Sequence, residues 1–151
     1  ENSDSSLLLY TAAYSIGSIG IFTLVLTMTN AQNETVAGLK GFSSVNKIPA
    51  IIISVIMLSL AGIPPVAGFF PKYYIFTTAL KSEHTWLVIL AVTSSLIGAY
   101  YYFKVIINMF QPADRDSVQM TLTPTHLLVL WITLTLTIGL GVAPGFLVDL
   151  F

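Results

Sequence analysis

The chain has 151 residues, of which 55% are hydrophobic and 9% charged, with a formal net charge of -1. Soluble domains carry about 25% charged residues, so this composition, with a mean hydropathy of +0.84, describes an integral membrane protein. The charge offers nothing to a nucleic acid or an acidic surface, and the lack of cysteine excludes disulfides, thiol catalysis and thiolate metal sites.

Four apolar segments predict an all-α, polytopic membrane domain with spans at residues 7–28, 49–80, 86–110 and 127–148. Each reaches the roughly 20 residues a helix needs to cross the hydrocarbon core. None shows the polar alternation of a barrel strand. No Lys/Arg-led signal peptide precedes the first span. The chain opens on Glu1 rather than Met, which suggests a processed polypeptide or part of a longer one.

In the first span, Ala13 and Gly17 are spaced for close helix packing. The linkers at 29–48, 81–85 and 111–123 read as polar and short. The first and third carry Lys40, Lys47 and Arg115. The opposite side has Lys81 alone, beside Glu1, Asp4, Glu83 and Asp149. This asymmetry places the first and third linkers on the cytoplasmic or matrix side. The Asn33-Glu34-Thr35 glycosylation triplet falls on that side and is discounted.

The second span is too long. A continuous helix over 49–80 would measure about 48 Å, against a hydrocarbon core of about 30 Å. Pro64 and Pro65 lack donors and clash with the preceding turn, and Pro64 pushes Ile63 towards extended backbone. With Gly62 and Gly68 to turn the chain, the expectation is a half-helix at 50–62, an unwound stretch at 63–68 and a second half-helix at 69–80. Such breaks persist at membrane depth only where protein or a water-filled cavity satisfies the freed backbone. Ion-coupled transporters use them beside the ion path. Pro71 reads as a helix-start proline.

Lys72 follows the break and is the only residue between Lys47 and Lys81 that is charged at neutral pH. Burial disfavours its charged form, which suits the amine to taking up and releasing a proton. The plainer reading is a lysine that snorkels or pairs with a carboxylate. Its central depth argues against the first, and the lack of an intramembrane Asp or Glu against the second. Tyr73 and Tyr74 are adjacent and offer hydroxyls to the same space.

In the third span Lys104 sits about two turns from the end, where snorkelling competes with a role in proton transfer. The tyrosines before it, Tyr101 among them, read either as interface anchors or as hydroxyls that hold water in a channel. His84 and His126 lie in or beside linkers without metal-ligand spacing. No glycine-rich phosphate loop is present. Pro124 marks the start of the last span, and Gly139, Gly141, Pro144 and Gly145 are expected to loosen its end.

The stretch "LSLAGIPPVAGFFPKYYIF" at 58–76, followed by "AYYYFKVI" at 99–106, resembles the antiporter-like, proton-translocating membrane subunits of respiratory complex I. The likeness points most to the NADH dehydrogenase subunit 2 group, the counterpart of bacterial NADH-quinone oxidoreductase subunit N. "YTAAYSIGSIGIF" at 10–22 adds the Tyr10, Tyr14, Gly20 and Phe22 spacing of the preceding helix in that family. The likeness runs from about Leu7 to Phe110.

The resemblance implies a fold of about fourteen helices with two inverted repeats, of which these would be the last four, both termini on the positive side. It implies that Lys72 is the lysine of the second repeat's broken helix, with Gly62, Pro64, Pro65 and Gly68 as its backbone. Lys104 then matches a basic position of the next helix. Pro71 departs from the small residue usual there. The implied activity is H+-translocating NADH:ubiquinone oxidoreduction by the whole complex. NADH, FMN, iron–sulfur clusters and quinone would be held by other subunits and none by this chain.

The implied partners are other membrane-arm subunits, membrane lipids and a polypeptide supplying the missing ten helices, as from a split gene. The implied location is the mitochondrial inner membrane, or else a bacterial plasma membrane. A subunit of a cation/proton antiporter or ferredoxin-linked complex is the alternative within transport. A non-transporting membrane scaffold is the alternative outside it, and retention of a buried lysine argues against that.

Overall fold

A computed structural model describes residues 2–28, 35–113 and 122–142, with side chains from Leu7 onward. Its described residues form six α-helices: α1 (Asn2–Leu26), α2 (Phe42–Val45), α3 (Lys47–Ala61), α4 (Phe69–Lys81), α5 (Thr85–Phe110) and α6 (Pro124–Val142). Three helical stretches are long and apolar enough to cross a membrane: Leu7–Leu26, Thr85–Phe110 and Pro124–Val142. The stretch expected to form a second span, 49–80, holds two helices, α3 and α4, each too short to cross alone. The non-helical residues between them, 62–68, agree with the predicted break to within one residue.

α3 is the centre of the packing. Its Ala50, Ile52, Ile53, Ile56 and Met57 are buried in one cluster with Leu24 of α1, Met109 of α5 and Leu130 of α6. α1 meets α3 along a stripe at i, i+4, i+7 and i+11, made by Ala13, Gly17, Gly20 and Leu24. A Cβ on Gly17 would lie 2.6 Å from Leu60 Cδ2, and one on Gly20 2.7 Å from Ile56 Cδ1. The packing role expected of Ala13 and Gly17 is therefore present, and Gly20 extends it. Buried hydroxyls fold back onto their own helices: Thr23 Oγ1 donates to Ile19 O at 2.8 Å, and Thr133 Oγ1 to Leu130 O at 3.0 Å. This satisfies polar groups where water is absent.

Two expectations need correcting. The linker ahead of α3 is not merely polar chain. Thr35 caps a 3-10 turn at Val36–Leu39 through its side chain, and Leu39 and Phe42 join the core. Gly41, at φ 79°, donates its N–H to Gln111 O at 2.9 Å and so ties this linker to the end of α5. The second correction concerns α6, which stays helical through Gly139 and Gly141 to Val142. Gly141 does not loosen the helix; it admits a neighbour, as described below. The Asn33-Glu34 part of the glycosylation triplet, Arg115, Pro144, Gly145 and Asp149 lie outside the described residues.

Candidate functional site

The site begins with the end of α3. The last four carbonyls of a helix have no partner within it. Gly62, at φ 86°, takes the left-handed conformation that a helix C-terminus favours. Its N–H reaches Ser59 O at 2.9 Å and Leu58 O at 3.1 Å, and the Ile63 N–H reaches Leu58 O at 3.1 Å. This is a Schellman closure, and it leaves Leu60 and Ala61 open. Those two carbonyls accept from Lys72 Nζ, at 3.0 and 3.3 Å. The ammonium thus occupies the negative end of the α3 dipole, where a cation is favoured.

The rest of the break is satisfied with the same economy. Pro64 and Pro65 have no N–H, and both are exposed. Val66 donates to Ile63 O at 3.4 Å, and Phe69 to Val66 O at 3.1 Å. The Ala67 N–H crosses to Thr137 O of α6 at 3.1 Å. The Gly68 N–H donates to the Ser59 hydroxyl at 3.0 Å. Every amide N–H from 62 to 69 therefore has a protein partner, as an unwound segment at membrane depth requires.

Gly68 has an ordinary φ of −73°, so it does not turn the chain as expected. It is needed because a Cβ there would overlap the Ser59 carbonyl. Gly141 plays the same part on α6, where a Cβ would overlap the Pro65 carbonyl and Val66 backbone. Pro71 is buried in the first turn of α4, where a missing N–H costs little.

Lys72 is partly buried and borders a cavity of about 440 Å³ between α1, α4 and α5. The polar groups on its wall are Tyr10 and Tyr14 of α1, Lys72 of α4, and Ser94, Ser95 and Tyr102 of α5. The rings of Tyr10 and Tyr14 stack with centroids 5.7 Å apart. Tyr14 and Tyr102 are close neighbours on this wall. No carboxylate or histidine among the described residues is on this wall. Among the described residues no group of His, Cys, Asp or Glu could hold a metal. What the wall offers is one amine and several hydroxyls, each of which both donates and accepts, in a space large enough for water.

The residues singled out from sequence divide accordingly. Gly62, Pro64, Pro65, Gly68 and Lys72 come together at the break. Tyr73 lines a different space, an apolar groove of about 630 Å³ between α4 and α5 that Lys72 also borders. Tyr74 and Tyr101 are exposed and line neither space, and Lys104 is exposed on α5 away from both. Sequence reasoning passed over Ser94 and Ser95, and from the tyrosine run it singled out Tyr101 rather than Tyr102. Their signal is spacing: Ser94, Gly98 and Tyr102 fall at i, i+4 and i+8, one face of a helix.

Broken helices whose loose ends are held by protein are common in membrane proteins of the transporter-like class, and this architecture is of that kind. The family described as "NADH:quinone oxidoreductase/Mrp antiporter, TM" matches residues 1–98, and the chain belongs to it. NADH-quinone oxidoreductase subunit N 1 of Rhizobium meliloti is 41% identical over 76% of this chain and 25% of its own length. Subunit N of Jannaschia sp. is 40% identical over 97% of this chain and 30% of its own length. Among solved structures, a chain of respiratory complex I from Thermus thermophilus with bound Aureothin superposes with a TM-score of 0.81. It is 25% identical, over 93% of this chain and 33% of that one. The chain thus spans about a quarter to a third of the length of these relatives.

Proposed function

We propose that this chain is the C-terminal part of a subunit N-type membrane subunit, and that Lys72 is its proton-carrying group. The observation that carries the reading is the Lys72 ammonium, seated on the open carbonyls of a broken helix with a hydroxyl-lined cavity beside it. A lysine placed only to snorkel would reach for an interface. α3 and α4 together make one broken crossing, the second of four, with the first and third linkers on the cytoplasmic side.

In this reading the protonated amine rests on Leu60 and Ala61 and exchanges its proton with cavity water. The whole complex couples that exchange to electron transfer from NADH to quinone in other subunits, and this chain does no redox chemistry. The relatives being named as subunit N favours complex I over a free-standing cation/proton antiporter. Their bacterial sources favour a bacterial plasma membrane over the mitochondrial inner membrane. The remaining helices of the fold, with other membrane-arm subunits, are the partners, and lipid surrounds them.

The test is Lys72→Met in the assembled complex, with proton uptake and NADH oxidation followed in sealed vesicles. The variant is expected to assemble, since no carboxylate on the cavity wall loses a counter-charge, and to pump poorly. Full pumping by Lys72→Met would remove Lys72 from the proton path.

A further inference from the structure

We propose that the hydroxyls of Tyr14 and Tyr102 form a relay pair that passes protons between Lys72 and the far end of the cavity. This rests on the reading of Lys72 as the proton carrier. The pair joins two helices distant in sequence, α1 and α5, across the space that Lys72 borders. The two side chains are close neighbours on its wall, and among the described residues no carboxylate or imidazole on the wall competes for the task.

Packing alone does not call for these hydroxyls. Phenylalanine fills the same volume without a polar tip to satisfy. Tyr10 is the positioning residue of the group. Its ring stacks on Tyr14 at an interplanar angle of 20° and limits the directions the Tyr14 hydroxyl can take. The two serines of α5 add donors and acceptors along the same wall, on which Ser94 and Tyr102 are about 12 Å apart by helical rise.

The step balances without a co-reactant. An N–H bond of the Lys72 ammonium breaks as its proton passes to a cavity water. That water gives a proton to one phenol oxygen as the same phenol releases its own to the other. The second phenol in turn releases its proton to water beyond the pair. Lys72 is left as a neutral amine, both phenols remain neutral, and one proton has moved. Reprotonation of Lys72 from the opposite side completes the cycle.

Tyr14→Phe, Tyr102→Phe and the double variant, made in the assembled complex and reconstituted in sealed vesicles, test the pair. General acid–base groups contribute about 10²–10⁴-fold. Because water can partly stand in, each single variant is expected to lower the rate of proton uptake by at least about tenfold. The double variant should be no worse than the singles, since either loss breaks the same pair. The solvent deuterium isotope effect on uptake should rise, whereas Tyr100→Phe on the exposed face of α5 changes neither readout.

Losses that add in the double variant with an unchanged isotope effect would assign the hydroxyls to packing and overturn the relay. Normal pumping by both phenylalanine variants, beside a failing Lys72→Met complex, overturns the relay and leaves the reading of Lys72 standing. Normal pumping by Lys72→Met overturns both. Should one phenylalanine variant fail to assemble, the other decides.

Discussion

Lys72 finishes a helix before it does anything with a proton. Two of the four open carbonyls at the end of α3 are closed by backbone, and the side chain closes the other two. A change at this residue therefore touches the break and, on the proposed reading, the proton as well, and substitutions can separate the two. Lys72→Arg keeps a cation with several donors near Leu60 and Ala61, but a guanidinium is too basic to release its proton. The complex is expected to assemble and oxidise NADH while vesicles show little proton uptake; normal uptake would make charge alone sufficient. Gly62→Ala acts from the other side of the contact. At φ 86° an alanine is strained by about 1–2 kcal/mol, and its Cβ would stand 3.0 Å from Lys72 Cδ and 3.2 Å from Nζ. A lowered unfolding midpoint together with reduced uptake is expected. Lys104→Met, at an exposed position, should leave uptake near its normal rate.

The break shows which parts of an element are written locally. Pro64 and Pro65 forbid a continuous helix by their own covalent geometry, so its position was legible from residues 62–68 alone. The reason for Gly68 was not, because the Ser59 carbonyl that a Cβ would strike lies nine residues back on another helix. Gly141 was misread for the same cause: glycine in a helix suggests looseness until the partner backbone is known. The structured linker at 35–45 was missed because its two buried anchors, Leu39 and Phe42, are too few to make a periodic pattern. The tie between the half-helices has a direct test in Ser59→Ala. It leaves the Gly68 N–H without its acceptor, and a buried unsatisfied donor costs about 1–3 kcal/mol. Amide hydrogen exchange across 62–69 in the assembled complex should quicken by roughly ten- to a hundredfold, since about 1.4 kcal/mol is tenfold. Unchanged exchange would mean that water or another group replaces the hydroxyl.

At the scale of the molecule, α1, α3 and α6 enclose one another while α5 stands at an edge. Only Met109 among its side chains is fully buried, and Leu96, beside the apolar groove, is 67% exposed. The cavity is open too, for Tyr14 on its wall is 44% exposed. A proton path open to lipid along its side would lose the water it needs, so the cavity requires a further wall. The relatives extend to three or four times this length, enough for the other helices of the fold to supply one. A photo-cross-linking residue at Leu96 tests where they lie. In the assembled complex it is expected to form an adduct with those helices, and the isolated chain in vesicles should give lipid adducts only. On the proposed reading the isolated chain should also carry no proton current, because Lys72 would then have a relay on one side and no donor on the other. Lipid adducts alone in the assembled complex would make this face of α5 an outer surface, and proton flux through the isolated chain would make the missing wall unnecessary.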